Sequence, residues 1–195
     1  MKLSEKYRRV TPQRTEQQLK KREQLILNLG GPLFPLSTWK DVLVDDYDTY
    51  DICLKNGLPF RTWEQPFPSE EEAISSLVYM QLNLGRLSPF QRCEILLHNA
   101  EALKATAHWR GYNFPGDFAE VAGLSQKTLN MAEEILTFDD DETLNQVRDE
   151  KISIRTAYLR CMEQAELSEL KSNLQTLIRA IDSRFMMHRK QFFQR

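Results

Sequence analysis

Asp117–Leu136, DFAEVAGLSQKTLNMAEEIL, constrains the fold more than any other stretch of this 195-residue chain. Its spacing predicts two short helices joined by a tight turn. Phe118, Val121 and Ala122 give the first helix an apolar face. Gly123 can take the left-handed conformation that ends it, and Leu124 packs the turn. Ser125 is a good N-cap for the second helix, where Leu129, Ala132, Ile135 and Leu136 recur at helical spacing. Ala119 and Gly123 stand four apart, and small residues there let two helices cross closely.

This pattern resembles a helix-turn-helix, whose second helix enters the DNA major groove. It equally fits an ordinary helical hairpin inside a core. On the second helix Ser125, Gln126, Lys127, Thr128 and Asn130 are best placed to face outward. Gln and Asn side chains suit adenine edges, Lys suits guanine or phosphate, and Ser or Thr suits phosphate. Lys151 and Arg155 could add phosphate contacts. Glu133, Glu134 and Asp139–Asp141 work against this reading, because carboxylates on the same face repel a DNA backbone. The net charge is −2 and the pI about 6.0, so a DNA-binder of this kind must concentrate its basic groups locally.

Hydrophobic residues make up 41% and charged residues 28%, the balance of a globular protein rather than a membrane one. No apolar run approaches a membrane span, and Met1–Gln24 is too charged for a secretory signal, so a cytoplasmic location without membrane contact is expected. Cys53, Cys93 and Cys161 have no CxxC spacing and read as buried thiols. His98, His108 and His188 are scattered, and no metal site is expected from them.

In chain order, residues 1–13 read as a basic arm, with the first dozen residues mobile. A helix from Arg14 to Asn28 follows, ended by Gly30-Gly31-Pro32. Leu33–Leu36 and Thr38–Val44 are strand-like, Asp45–Asn56 is helical, Leu58–Phe67 is extended, and Ser69 with Glu72 forms a capping box for the next helix. Residues 14–87 thus make a small α+β unit. Ser88-Pro89 starts a helix reaching about Trp109. The helix-turn-helix, a helix Glu142–Arg148 and a helix Ile152–Glu163 complete a helical domain over 88–165. The fold class is α+β, predominantly helical.

Residues 166–195 form a C-terminal helix. Leu167, Leu170, Leu174, Leu177 and Ile181 step by three and four, a heptad seam that can support a dimeric coiled coil. The same seam could instead pack on the body of its own chain. The far end is basic and aromatic, from Arg184 and Phe185 to Arg195.

The order of these parts resembles the ParB-like (ParB/sulfiredoxin-like) family. Leu36–Phe60, LSTWKDVLVDDYDTYDICLKNGLPF, is similar to the family's "W…ΨΨDGHNRYeIC…gΨPF", where Ψ is apolar. Met80-Gln81-Leu82, Asn83–Ser88 and Pro89-Phe90-Gln91-Arg92 resemble "NQLGRRNLtpfqR". Val147–Tyr158, VRDEKISIRTAY, is similar to "VrsGkISIxxAY". The matches run from about Gln18 to Tyr158 in the family's order. The resemblance implies a ParB-like α+β domain followed by a helical DNA-binding part.

Departures from the family are as informative. Where it has Gly-His-Asn-Arg, this chain has Asp46-Tyr47-Asp48-Thr49, and of its paired arginines only Arg86 remains. A pocket built from Asp45, Asp46, Asp48 and Arg86 is therefore degenerate, because three carboxylates repel a triphosphate unless a divalent cation intervenes. The expectation is a non-enzymatic DNA-binding protein of a plasmid, phage or other mobile element, acting in partition or transcriptional regulation. It would need no cofactor, and would bind double-stranded DNA as a homodimer. One alternative is an adaptor that binds another protein. A third is a metal-dependent nuclease or cytidine-triphosphate switch at Asp45–Asp48.

Overall fold

The computed structural model describes every residue except 85–86, 111–117, 139 and 193–195, with backbone alone at 84, 108–110 and 182–192. Residues Met1–Ala157 form one compact unit and Tyr158–Arg195 a second. The fold is predominantly helical with one three-stranded sheet.

A short helix α1 (Glu5–Arg8) precedes α2 (Glu16–Leu29). Thr15 and Gln18 cap α2 reciprocally, and Gly30, at φ 72°, ends it. Strands β1 (Leu36–Trp39) and β2 (Val42–Leu43) pair antiparallel, with Thr38 opposite Leu43 and Trp39 opposite Val42. Lys40 and Asp41 join them, both at positive φ, the backbone of a two-residue hairpin turn. Helix α3 (Tyr47–Asn56) packs on α2, and Gly57 closes it in the left-handed region. Strand β3 (Thr62–Glu64) then lies parallel to β1 on its other side, giving the order β2-β1-β3.

Residues 1–11 are docked rather than mobile. The Lys2 amide donates to Asp41 O at 2.8 Å, and the Leu43 amide donates to Lys2 O at 2.9 Å. Tyr7 and Val10 are buried at 2% and 1% exposure, with Tyr7 edge-on to Trp39. Two apolar side chains in a basic segment carry too little periodicity to announce this burial, yet they secure it.

Helix α4 (Glu70–Leu84) is capped by Ser69, whose Oγ accepts from the Glu72 amide. Helix α5 (Pro89–His98) begins with a Ser88/Gln91 capping box and Pro89 in its first turn. The single helix expected to run to Trp109 is broken at Asn99. The Asn99 side chain donates to Ile95 O at 2.8 Å, offering the backbone a competing partner, and α6 (Ala100–Arg110) starts afresh. Helices α7 (Phe118–Ala122), α8 (Gln126–Phe138) and α9 (Asp141–Arg148) follow, all packed on α5. Helix α10 runs from Ile154 to Phe192, and its residues from Tyr158 onward form the second unit.

Candidate nucleic-acid interface

Helices α7 and α8 carry the residues expected to read DNA. Gly123 sits at φ 70°. Its amide donates to Glu120 O at 2.9 Å, and the Leu124 amide donates to Ala119 O at 2.9 Å, closing α7. Ser125 Oγ accepts from the Thr128 amide at 3.1 Å and caps α8. Phe118, Ala119 and Ala122 on α7 are buried, as are Leu129, Ala132 and Ile135 on α8. Both helices lean on α5. Arg92 of α5 donates from Nε to Ala122 O at 2.7 Å, so the last carbonyls of α7 are met by a charged donor.

The remaining face of α8 is exposed and changes character along its length. Gln126, Lys127 and Asn130 project from its first half. Gln126 Nε2 donates to Asn130 Oδ1 at 2.7 Å, which aligns the two amides side by side. Glu133 and Glu134 are exposed in its second half. Ser125 is exposed but occupied by the cap, and Thr128 is half-buried with its hydroxyl 2.8 Å from Ser125 Oγ. Of the side chains expected to read DNA on α8, Gln126, Lys127 and Asn130 are therefore the ones that face outward clear of the cap. Lys151 is exposed on the loop after α9 and pairs with Asp149 at 3.0 Å. Arg155 is exposed in the first turn of α10. Asp117 and Asp139 lie outside the described residues.

Beneath this surface is a buried ion pair. Glu94 of α5 is 1% exposed, and Arg148 of α9 donates to it twice, from Nη2 at 2.5 Å and Nε at 3.3 Å. The fork geometry satisfies both carboxylate oxygens at once. His98, an exposed residue of α5, has its pKa lowered, by desolvation first and then by the Arg9 and Arg148 charges, against the opposing charge of Glu94.

The second site of interest is at the start of α3. Asp46, standing where the ParB-like pattern has glycine, adopts φ 59° and ψ 44°. Aspartate tolerates this left-handed backbone better than most side chains. Asp46 pairs with Arg22, and Asp48 pairs with Arg14. Arg22 also donates to Thr49 Oγ1 at 2.9 Å. Asp45 accepts from the Asp46 amide at 2.7 Å and from Gln81 Nε2 at 2.9 Å. Burial, seconded by the Asp46 charge, pushes its pKa up to about 6.

Sequence reasoning placed three bare carboxylates here. The structure sets Arg14 and Arg22 against two of them, across 34 and 24 residues of chain. Both arginines stood in the basic N-terminal segment, but no local spacing tied them to α3. Arg86 lies outside the described residues. The pairs border a cleft of about 600 Å³, walled also by Thr11, Phe34, Trp63, Gln65 and Gln81. Among the described residues no three His, Cys, Asp or Glu side chains are grouped to hold a metal ion. Asp46 and Asp48 are turned to arginines, which accounts for this at the start of α3.

Among the described residues no helix is long and apolar enough to cross a membrane. The chain matches no protein-family model and no curated protein significantly.

Proposed function

We propose that the protein is a non-enzymatic, ParB-like DNA-binding protein of a plasmid, phage or other mobile element, serving partition or transcriptional regulation. One observation carries this reading. The first half of α8 presents Gln126, Lys127 and Asn130 outward, while Leu129, Ala132 and Ile135 anchor the opposite face on α5. Exposed amide and ammonium groups at the start of a second helix are what base-edge readout requires. The ordered ParB-like motifs add support, and they suggest the function class rather than the DNA sequence read.

Lys127 is the one cation among these three readers, so binding by one unit is weak and strongly salt-sensitive. Fluorescence anisotropy with a labelled duplex of about 30 base pairs tests it. Binding at low salt that falls as salt rises is expected, with Lys127→Glu weakening it at least tenfold. No binding to any duplex at low salt, with or without cytidine triphosphate, overturns the reading.

An adaptor function is favoured by a different observation. Leu25, Leu29, Leu33, Phe34 and Trp63 are all exposed at about half or more of their surface. Phe34 and Trp63 flank the cleft at α3. Exposed apolar side chains in such number mark protein contact surfaces. If this surface carries the function, Phe34→Ser with Trp63→Ser abolishes it and Lys127→Glu does not.

A further inference from the structure

The exposed seam of α10 has an orientation written into it. Leu167, Leu170, Leu174, Leu177, Ile178 and Ile181 are between 49% and 64% exposed on one continuous helix. The steps of three and four allow one heptad assignment. Leu167, Leu174 and Ile181 fall at a, and Leu170 and Leu177 at d. Glu166 then falls at g, and Lys171 and Ile178 at e.

We propose that this face pairs with the same face of a second copy of the chain, parallel and in register. Two observations set the direction. In a parallel in-register pair each seam residue meets its own copy, so all five layers are apolar. In an antiparallel pair every a position meets a d position. With three a and two d residues, at most four layers can then match, and Leu167 or Ile181 is left without an apolar partner. Charge agrees. A parallel pair places g against the e position five residues on in the partner, so Glu166 meets the partner's Lys171 on both sides of the seam. The antiparallel register that keeps Leu167 through Leu177 matched brings Lys171 near the partner's Lys171.

The size is sufficient. Six apolar side chains on each helix, at roughly 80 Å² apiece, remove about 1,000 Å² from water, the lower bound for a stable interface. The interface lies wholly within Tyr158–Arg195. It does not depend on DNA being the ligand of α8, and its test contains no DNA.

Sedimentation of the full chain at micromolar concentration should give a dimer, and a monomer up to about 100 μM overturns the proposal. Direction is read by disulfide trapping. Leu174→Cys treated with oxidised glutathione should give a covalent dimer that the unsubstituted chain, whose three thiols are buried, does not. A disulfide that forms between Leu174→Cys and Leu170→Cys or Leu177→Cys chains, in preference to Leu174→Cys with itself, shows antiparallel packing and overturns it. Lys171→Glu should weaken the dimer about fivefold or more, and Glu166→Lys in the same chain should restore it. An unchanged dimer in Lys171→Glu, or no restoration, refutes the register.

Discussion

Replacing Arg148 by methionine tests how α9 is held on α5. Arg148 is 14% exposed at its side chain and Glu94 1%. At contact, and with the effective dielectric of a protein, the gross attraction of such a pair is about 4 kcal/mol. Desolvating Glu94 offsets most of that, so the intact pair contributes little net stability. Losing Arg148 alone is different, because it strands a carboxylate that cannot reach water. The cost should be about 3–5 kcal/mol. Loss of a cation from the last turn of α9 adds only about 0.3–1 kcal/mol.

Glu94→Gln should cost less, about 1–2 kcal/mol. The amide oxygen still accepts one bond, and Arg148, the more exposed partner, can turn its charge to solvent. The double substitution Glu94→Leu with Arg148→Met should cost less than Arg148→Met alone. Urea unfolding followed by tryptophan fluorescence and far-ultraviolet circular dichroism measures all three. Against a typical total of about 5–15 kcal/mol, Arg148→Met would leave this unit marginal. An Arg148→Met chain within about 1 kcal/mol of the parent, or one no worse than Glu94→Gln, would refute the reasoning.

Gly123→Ala should lower stability by about 1 kcal/mol in thermal melts, through the cost of φ 70° alone. An added Cβ meets only Arg92 Nη2, at an ordinary 3.6 Å, so a much larger loss would show that space, not backbone, is limiting. Asp45 has a folded-state pKa of about 6 against an ordinary 3.8, so the folded chain holds its proton more tightly. That contribution is full at pH below about 4 and is lost as pH rises through 6, for about 3 kcal/mol in all. Asp45→Asn should remove this slope, so a denaturation series from pH 4 to 7.5 that keeps it would point to another group.

What the sequence revealed follows a physical division. Local interactions were legible: the Ser88-Pro89 start of α5, the Ser125 cap and the Leu129–Ala132–Ile135 face of α8 each sit within a turn or two of chain. Gly30 and Gly123 announced helix ends because few other residues take left-handed backbone cheaply. Contacts between distant segments left no such trace. Thr15 Oγ1 donates to Asp149 across 134 residues at 2.6 Å, and neither residue type is unusual where it stands. The same holds for the arginine pairs at α3 and for Tyr7 and Val10 in the N-terminal segment. At Asn99 the local signal misled, since a helical apolar pattern continued through a residue whose side chain interrupts the backbone.

Helix α5 is the element on which α7, α8 and α9 all pack. Apolar faces alone would let α7 and α8 slide, because hydrophobic contact is not directional. Arg92 ties α7 to α5 directly, while Gln91, Glu94 and Asn99, the residue that ends α5, tie this stretch to the N-terminal segment and to α9. Gln91 donates to Gln13 O at 2.6 Å, Arg92 to Ala122 O at 2.7 Å, and Asn99 to Ile95 O and, at 3.4 Å, to Arg9 O, while Glu94 accepts from Arg148. Leaving any of these groups buried and unmatched costs about 1–3 kcal/mol, and more for the charged ones. Sliding α7 would break the Arg92 bond, and shifting α5 itself would break the others together, a penalty comparable to the unit's whole stability. The N-terminal segment and α9 are therefore part of what holds α5, and through it α7 and α8, in place. A substitution at Gln91 or Asn99 should lower the melting temperature of this unit, read by circular dichroism, without touching any residue on the exposed face of α8.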